Sequence, residues 1–416
     1  MKFSEYVILE KPGLMMDPLG FIAPSANLQD TLFKQFTVLT NNPVYHGLLA
    51  LVYQTLQRKG LIPGQPSFAF EFRKLEILWG LANAVQKEGV LNVTKYLPMV
   101  ATVDNISLNN IPKSHGIYQR LAYGTLGHYS APSYVWGLVE KGRSQLSDCG
   151  QQLADSFAER RGVSLVRSLE KWYEKNAVNK QELEELGQEY AISCDPESDE
   201  QETWRSIIRQ YCRSTPHTSC YWDAPLTHDA LADFNKSAQD YAMLFPTLRE
   251  RYPTLESRFQ QVQIFQLLMA LTQYIFEREY LLLSEENFLL PPGEIEESLA
   301  VTLGRLAGEY ISVPSHQDAR GLFKSLAGVS SYRVAADLIL RHHVRHQNLK
   351  NVSPFMENGR LLVLDRFHIA DFTRLWEELD AAPDHDSALA CLAYRYRRDW
   401  HFGRARTYYD YAGTKP

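Results

Sequence analysis

Residues 117–161 read IYQRLAYGTLGHYSAPSYVWGLVEKGRSQLSDCGQQLADSFAERR, and this stretch decides the fold reading. IYQRLAYGTL has helical spacing, and Gly127 supplies a tight turn after it. Ser130 can cap a second helix with Pro132 in its first turn, where a missing N–H costs no hydrogen bond. Gly137-Leu138-Val139 then buries apolar side chains, EKGRSQ turns back around Gly142, and Ser147 caps a helix bearing Leu153 and Phe157. The order is helix, turn, helix, minimal hairpin, helix.

Helical periodicity also dominates outside this stretch. Ser25 is placed to cap a helix with Leu28, Leu32 and Phe36, and Pro43 to start one with Leu48, Leu51, Val52 and Leu56. Apolar positions Phe72, Leu75, Leu78, Trp79, Ala82 and Val85 predict a helix over 68–87, and Asn179 with Glu182 forms an N-x-x-E capping box. A long helix is expected over 255–283. The convincing strands lie at 355–364, FMENGRLLVL, where Asn358-Gly359 suits a type I′ hairpin turn. The acidic run 182–202 reads as an exposed connector or boundary. The expectation is a mainly α, multi-helical chain of two to three domains with a small C-terminal β hairpin. They are placed at 1–163 (containing the 117–161 module), 164–330 and 331–416, the last a basic helical region.

A net charge of −6 argues against coating nucleic acid through bulk charge, although a local basic patch would still attract phosphate. The start, MKFSEYVILEKPGLMMDPLG, has no basic segment followed by an apolar run. VQIFQLLMALTQYIF at 262–276 is too short and too interrupted by glutamine to span a bilayer, so it reads as a core helix. Five scattered cysteines fit a reducing compartment. Together these readings place the chain in the cytoplasm with no membrane partner.

Three constellations could carry chemistry. Cys212, His217 and Cys220 in CRSTPHTSC, with Cys194 and His228 nearby, give three zinc ligands but lack paired C-x2-C knuckles. Structural cysteines and a loop histidine are the competing reading, and no cofactor is otherwise expected. In RHHVRH, His342 and His346 share a helix face, but Arg341 and Arg345 would oppose a cation. The run YRYRRDWHFGRARTYYDY interleaves Arg395, Arg397, Arg398, Arg404 and Arg406 with aromatics, suiting unpaired bases, a protein interface or a packed terminal helix. Glu182, Glu184, Glu185 and Glu189 read as a solvated helix face. No nucleotide loop, nucleophile elbow or H-E-x-x-H occurs, so the chain reads as non-enzymatic.

The 117–161 stretch resembles winged-helix segments of bacterial transcription factors, in which a "GLV–wing–LT–x–x–G" passage follows the recognition helix. The resemblance implies a helix in the DNA major groove with the wing beside the backbone. Carried over, His128, Tyr129, Ser133 and Tyr134 would be exposed on the second helix and its approach, and Lys141 and Arg143 would be the wing's phosphate contacts. The departure is that this helix has no Arg, Lys, Asn or Gln, the usual readers of base edges. The run DPLGFIAPSANLQDTLFKQFTVLTNNPVYHGLLALVYQ resembles uncharacterised bacterial proteins of mobile and defence gene neighbourhoods. The expected function is a DNA- and/or protein-binding component of a larger bacterial assembly, in antiviral defence. The partners would be double-stranded DNA and protein subunits. The alternatives are a metal-dependent nuclease and a purely structural helical interaction subunit.

Overall fold

The computed structural model describes residues 7–8, 17–30, 32, 35–36, 42–90, 100, 104–107, 124–140, 145–160, 163–164, 167, 170–171, 174, 177–214, 237–284, 292–311, 317–357, 360–361, 363–364, 369–397 and 400–413. The fold is mainly α and multi-helical, as expected, with small two-stranded β pairings. The chain divides into two compact units, each discontinuous in sequence: 33–228 with 400–416, and 1–32 with 229–399. This differs from three consecutive segments, because the first described helix packs among elements beyond 229 and the last among elements before 228.

In the 33–228 unit the helix Val44–Arg58 is buried from Val44 to Leu56, and Pro43 stands at its N-cap. It packs against the helices Pro66–Val85, Thr125–Val135 and Asp148–Ala158. Gly47 is required there because a Cβ would enter the Phe157 ring. The helix Lys180–Tyr190 lies on Pro66–Val85, where the Trp79 indole N–H donates to the Tyr190 carbonyl at 2.8 Å. Its start has the expected capping box: Asn179 Oδ1 accepts from Glu182 N, and Glu182 accepts from Asn179 N. The acidic run is therefore no domain boundary, and its connector is confined to residues 191–197 between two helices. Leu183, Leu186 and Tyr190 turn inward from one helix, and Trp204, Ile207 and Tyr211 from the next, Ser198–Ser214, while most carboxylates stay outside. The terminal helix Trp400–Tyr411 sets Tyr408 against Phe36, Trp136 and Trp204 at 5.0, 5.7 and 5.4 Å between ring centres. Tyr408 is edge-on to Phe36 and Trp204 and stacked on Trp136, and aromatic packing of this kind adds to area burial.

The 229–399 unit is built around the 29-residue helix Glu256–Ser284, and the segment expected to be a core helix is buried within it. The helices Ala238–Arg251, Glu294–Ile311, Tyr332–Leu349 and His385–Arg395 pack on it. No described helix is long and apolar enough to cross a membrane. Arg278, 1% exposed, is the charged centre of this unit: it donates to Glu296, lies 3.5 Å from Glu279, and stacks 4.9 Å from the Tyr332 ring and 5.2 Å from that of Trp376. The Tyr274 hydroxyl also donates to Glu296, at 3.0 Å. The first helix, Ile22–Asp30, belongs to this unit and begins before Ser25. Asp17 caps it, accepting from Phe21 N at 2.6 Å, whereas Ser25 is buried inside the helix and accepts from Gln29.

The C-terminal hairpin pairs Met356 with Leu361 and Glu357 with Arg360, which leaves a two-residue loop at 358–359, the length Asn-Gly favours. Val363–Leu364 pairs parallel with Val7–Ile8. Two further antiparallel pairs join Asn105–Ser107 to Ala177–Asn179 and Glu159–Arg160 to Val163–Ser164.

Removing Arg278 strands a buried carboxylate, so Arg278→Ala is expected to cost about 3–5 kcal/mol. Arg374→Ala, whose partner Glu378 is solvent-exposed like itself, is expected to cost under about 0.5 kcal/mol. Urea unfolding of the full-length variants measures both.

Candidate nucleic-acid interface and metal sites

The helix that carries the candidate base-reading residues runs Thr125–Val135, with Gly124 as its N-cap at φ +86°. Gly127 and Ser130 are both inside it, and the Ser130 hydroxyl donates to the Leu126 carbonyl, so the expected turn and cap are not at these positions. Residues 117–123 lie outside the described residues. The break falls at Gly124 for a steric reason as well as a conformational one: a Cβ there would collide with Arg73 and Glu76. Glu76 accepts from Thr125 N, and Arg73 Nη1 donates to Glu76 at 2.6 Å, with both side chains buried. A carboxylate at the positive end of a helix is favourable, and the guanidinium neutralises its buried charge.

The expected exposure of the recognition face is corrected by the packing. Tyr129 and Ser133 are both 0% exposed, while His128 and Tyr134 are half-buried. Ser133 Oγ lies 2.7 Å from His46 Nδ1, and the Tyr129 ring stands 4.8 Å from that of Tyr45 with its oxygen accepting from Asn42 N. Thr125, Tyr129, Pro132, Ser133 and Trp136 recur at helical spacing and all face the core. Burial pushes the His46 pKa down to about 3 and lowers that of His128.

The hairpin that follows closes as the sequence implies. Val139 bridges Leu146, Glu140 N donates to Gln145 O at 2.7 Å, and Ser147 N donates to Leu138 O at 3.0 Å. Leu138, Val139 and Leu146 anchor its stem in the core. Ser147 caps Asp148–Ala158, its hydroxyl accepting from Gly150 N at 3.1 Å. Gly150 must be glycine because a Cβ would meet the Leu138 carbonyl, which explains why the passage ends on that residue. Lys141 and Arg143 fall in 141–144, outside the described residues.

The five terminal arginines are divided between the two units. Arg395 and Arg397 belong to one unit, Arg404 and Arg406 to the other, and Arg398 lies outside the described residues. Arg395 is exposed, whereas Arg397 lies 4.1 Å over the Tyr394 ring and donates to the Tyr394 carbonyl. Arg404 is half-buried, and that burial lowers its pKa. The side chain of Arg406 is outside the described residues, and its neighbours Ala405, Tyr408 and Tyr409 are buried.

Among the described residues no group of three or more His, Cys, Asp or Glu is placed to hold a metal. His217, Cys220, His228 and the Cys212 side chain lie outside them. The Cys194 thiol donates to the Gln188 carbonyl. On the helix Tyr332–Leu349 the His342 and His346 rings are parallel, 6.0 Å apart, but His342 bonds the Leu19 carbonyl and His346 fills the space that a Cβ at Gly20 would need. Sequence reasoning passed over His343: Nδ1 donates to Pro18 O at 2.9 Å while Nε2 accepts from Phe355 N at 2.9 Å. These partners fix its neutral form, and burial pushes its pKa down to about 4. Of the four glutamates, Glu182 is held by its capping box and by Lys171 at 3.0 Å.

His46 and His343 stay neutral when folded but take up a proton near pH 6.5 when unfolded. Stability is therefore independent of these groups above pH 6.5 and falls as pH drops towards 4, by about 1.4 kcal/mol per pH unit for each. His46→Leu is expected to be less stable at pH 7 but to show a shallower pH slope between 6.5 and 4 in urea unfolding. Gly124→Ala, with its strained φ and blocked Cβ, is expected to lower the midpoint markedly, whereas Gly60→Ala, with open space around it, is expected to cost only the positive-φ penalty of about 1 kcal/mol.

No family model, curated protein or solved structure matches this chain.

Proposed function

We propose that this protein is a non-enzymatic binding component of a larger assembly, which touches double-stranded DNA through the 139–146 hairpin and a protein partner elsewhere. The observation that carries the DNA half is the core-anchored hairpin stem, whose connecting residues 141–144 include Lys141 and Arg143. With Tyr129 and Ser133 buried, the preceding helix offers few side chains to base edges. The contact is then to phosphate, with little sequence preference. A role in bacterial defence rests on the resemblance of the N-terminal run alone.

The burial of that helix also favours a second reading, in which the module is packing and the chain is purely a helical interaction subunit. Fluorescence anisotropy of a labelled duplex at several salt concentrations separates the two. Two phosphate contacts give a slope of log K against log salt near −1.8. Lys141→Ala/Arg143→Ala is expected to remove that slope and the binding with it. Absence of binding at low salt, where screening is weakest, selects the second reading.

A further inference from the structure

A cleft of about 200 Å3 opens among three helices of the 229–399 unit: Ala238–Arg251, Glu256–Ser284 and His385–Arg395. Each helix lines it with the positions that normally face a core. Asp386, Leu389, Ala390 and Ala393 recur at i, i+3, i+4 and i+7 along the third, and Tyr241 and Phe245 stand one turn apart on the first. The hollow exists because Ala390 and Ala393 are too small to fill the junction. Of its polar lining, the Tyr241 hydroxyl donates to Gln266 Oε1 at 2.7 Å, both side chains being buried, so Tyr241 is tied at its polar end, and the half-buried Gln263 lines it as well.

Asp386 is the single charged residue among the described residues lining this cleft, and it is exposed. Asp384 caps the helix, accepting from Ser387 N at 2.8 Å, and Asp386 places a second carboxylate in its first turn, where the helix dipole favours it. An apolar hollow with one carboxylate at its edge is complementary to an apolar group that carries a cation beside it. The volume matches one large side chain and falls below the ≈ 300–1,000 Å3 typical of cofactor and metabolite pockets. The one aromatic wall, Tyr241 with Phe245, favours an aromatic guest.

We infer that this cleft receives an aromatic side chain of a partner protein, with a Lys or Arg adjacent to it in the partner's sequence pairing with Asp386. The inference deepens the protein-partner half of the proposed function and is independent of the DNA half, since the hairpin belongs to the other unit.

The test uses the full-length chain with 13C-labelled alanine methyls and three probe peptides: acetyl-Lys-Phe-Lys-amide, acetyl-Glu-Phe-Glu-amide and acetyl-Lys-Ala-Lys-amide. The first is expected to shift the Ala390 and Ala393 methyls saturably, with Kd on the order of 1 mM. The second is expected to bind about threefold more weakly, the size of effect an exposed ion pair supports, and the third not to saturate. Asp386→Asn, a surface change, is expected to abolish the difference between the first two peptides. Ala390→Leu, which fills the hollow, is expected to abolish binding, and the unperturbed methyl spectrum elsewhere shows that the variant is folded. The inference is overturned if Lys-Phe-Lys leaves both methyls unmoved, if Lys-Ala-Lys matches it, or if Asp386→Asn leaves the charge preference intact. DNA binding by the same sample, scored separately, leaves a failure here distinct from a failure of the hairpin reading.

Discussion

A carboxylate buried against the start of a helix governs the part of this molecule on which its functional reading turns. Glu76 accepts from Thr125 N while Arg73 neutralises it, and both groups are shielded from water. Taking that pair out of water is costly unless the two stay together, and a Cβ at position 124 would drive into both, so the site tolerates no side chain there. The helix start is fixed in place and in rotation. From that follows the inward turn of Tyr129, Ser133 and Trp136, the 2.7 Å contact of Ser133 with His46, and the departure of the chain into a hairpin stem sealed by Leu138 and Gly150. Tyr129, Ser133 and Trp136 are thereby committed to the core rather than to the surface.

The other unit solves a similar problem with Arg278. Its guanidinium bonds Glu296 and lies over the rings of Tyr332 and Trp376, so the long helix is tied to Glu294–Ile311 by a directional bond and to Tyr332–Leu349 by a stacked ring as well as by apolar area. His343 adds a neutral counterpart: with a carbonyl on one nitrogen and an N–H on the other, it secures the chain at Pro18 and at Phe355. Buried polar groups of this kind cost stability if unpaired and specify one arrangement when fully paired. They also make both units sensitive to acid.

Fold class, the long core helix, the Asn179 capping box, Pro43 and the two-residue hairpin at 358–359 were legible in the sequence, because local rules fix them. Glycine misled at position 127: the helix break falls instead at Gly124, where a Cβ would strike Arg73 and Glu76, residues far away in the chain. Ser25 and Ser130 are acceptable caps by type, yet Asp17 and the Gly124–Glu76 arrangement took those roles through longer-range contacts. Polar residue types disguised the buried stripe of the Thr125–Val135 helix, although its spacing was there to be read. The acidic run 182–202 was read by its charge rather than by Leu183, Leu186 and Tyr190, which carry the helical period. The charged centres, Arg73 with Glu76 and Arg278 with Glu296, were invisible because a charged side chain in sequence defaults to the surface.

The most direct measurement is hydrogen–deuterium exchange of the full-length chain, free and saturated with duplex DNA at low salt. The account predicts slow exchange across 125–135 in both states, with new protection confined to peptides spanning 139–146. Fast exchange across 125–135 in the free protein, or protection that appears there on adding duplex, would contradict it.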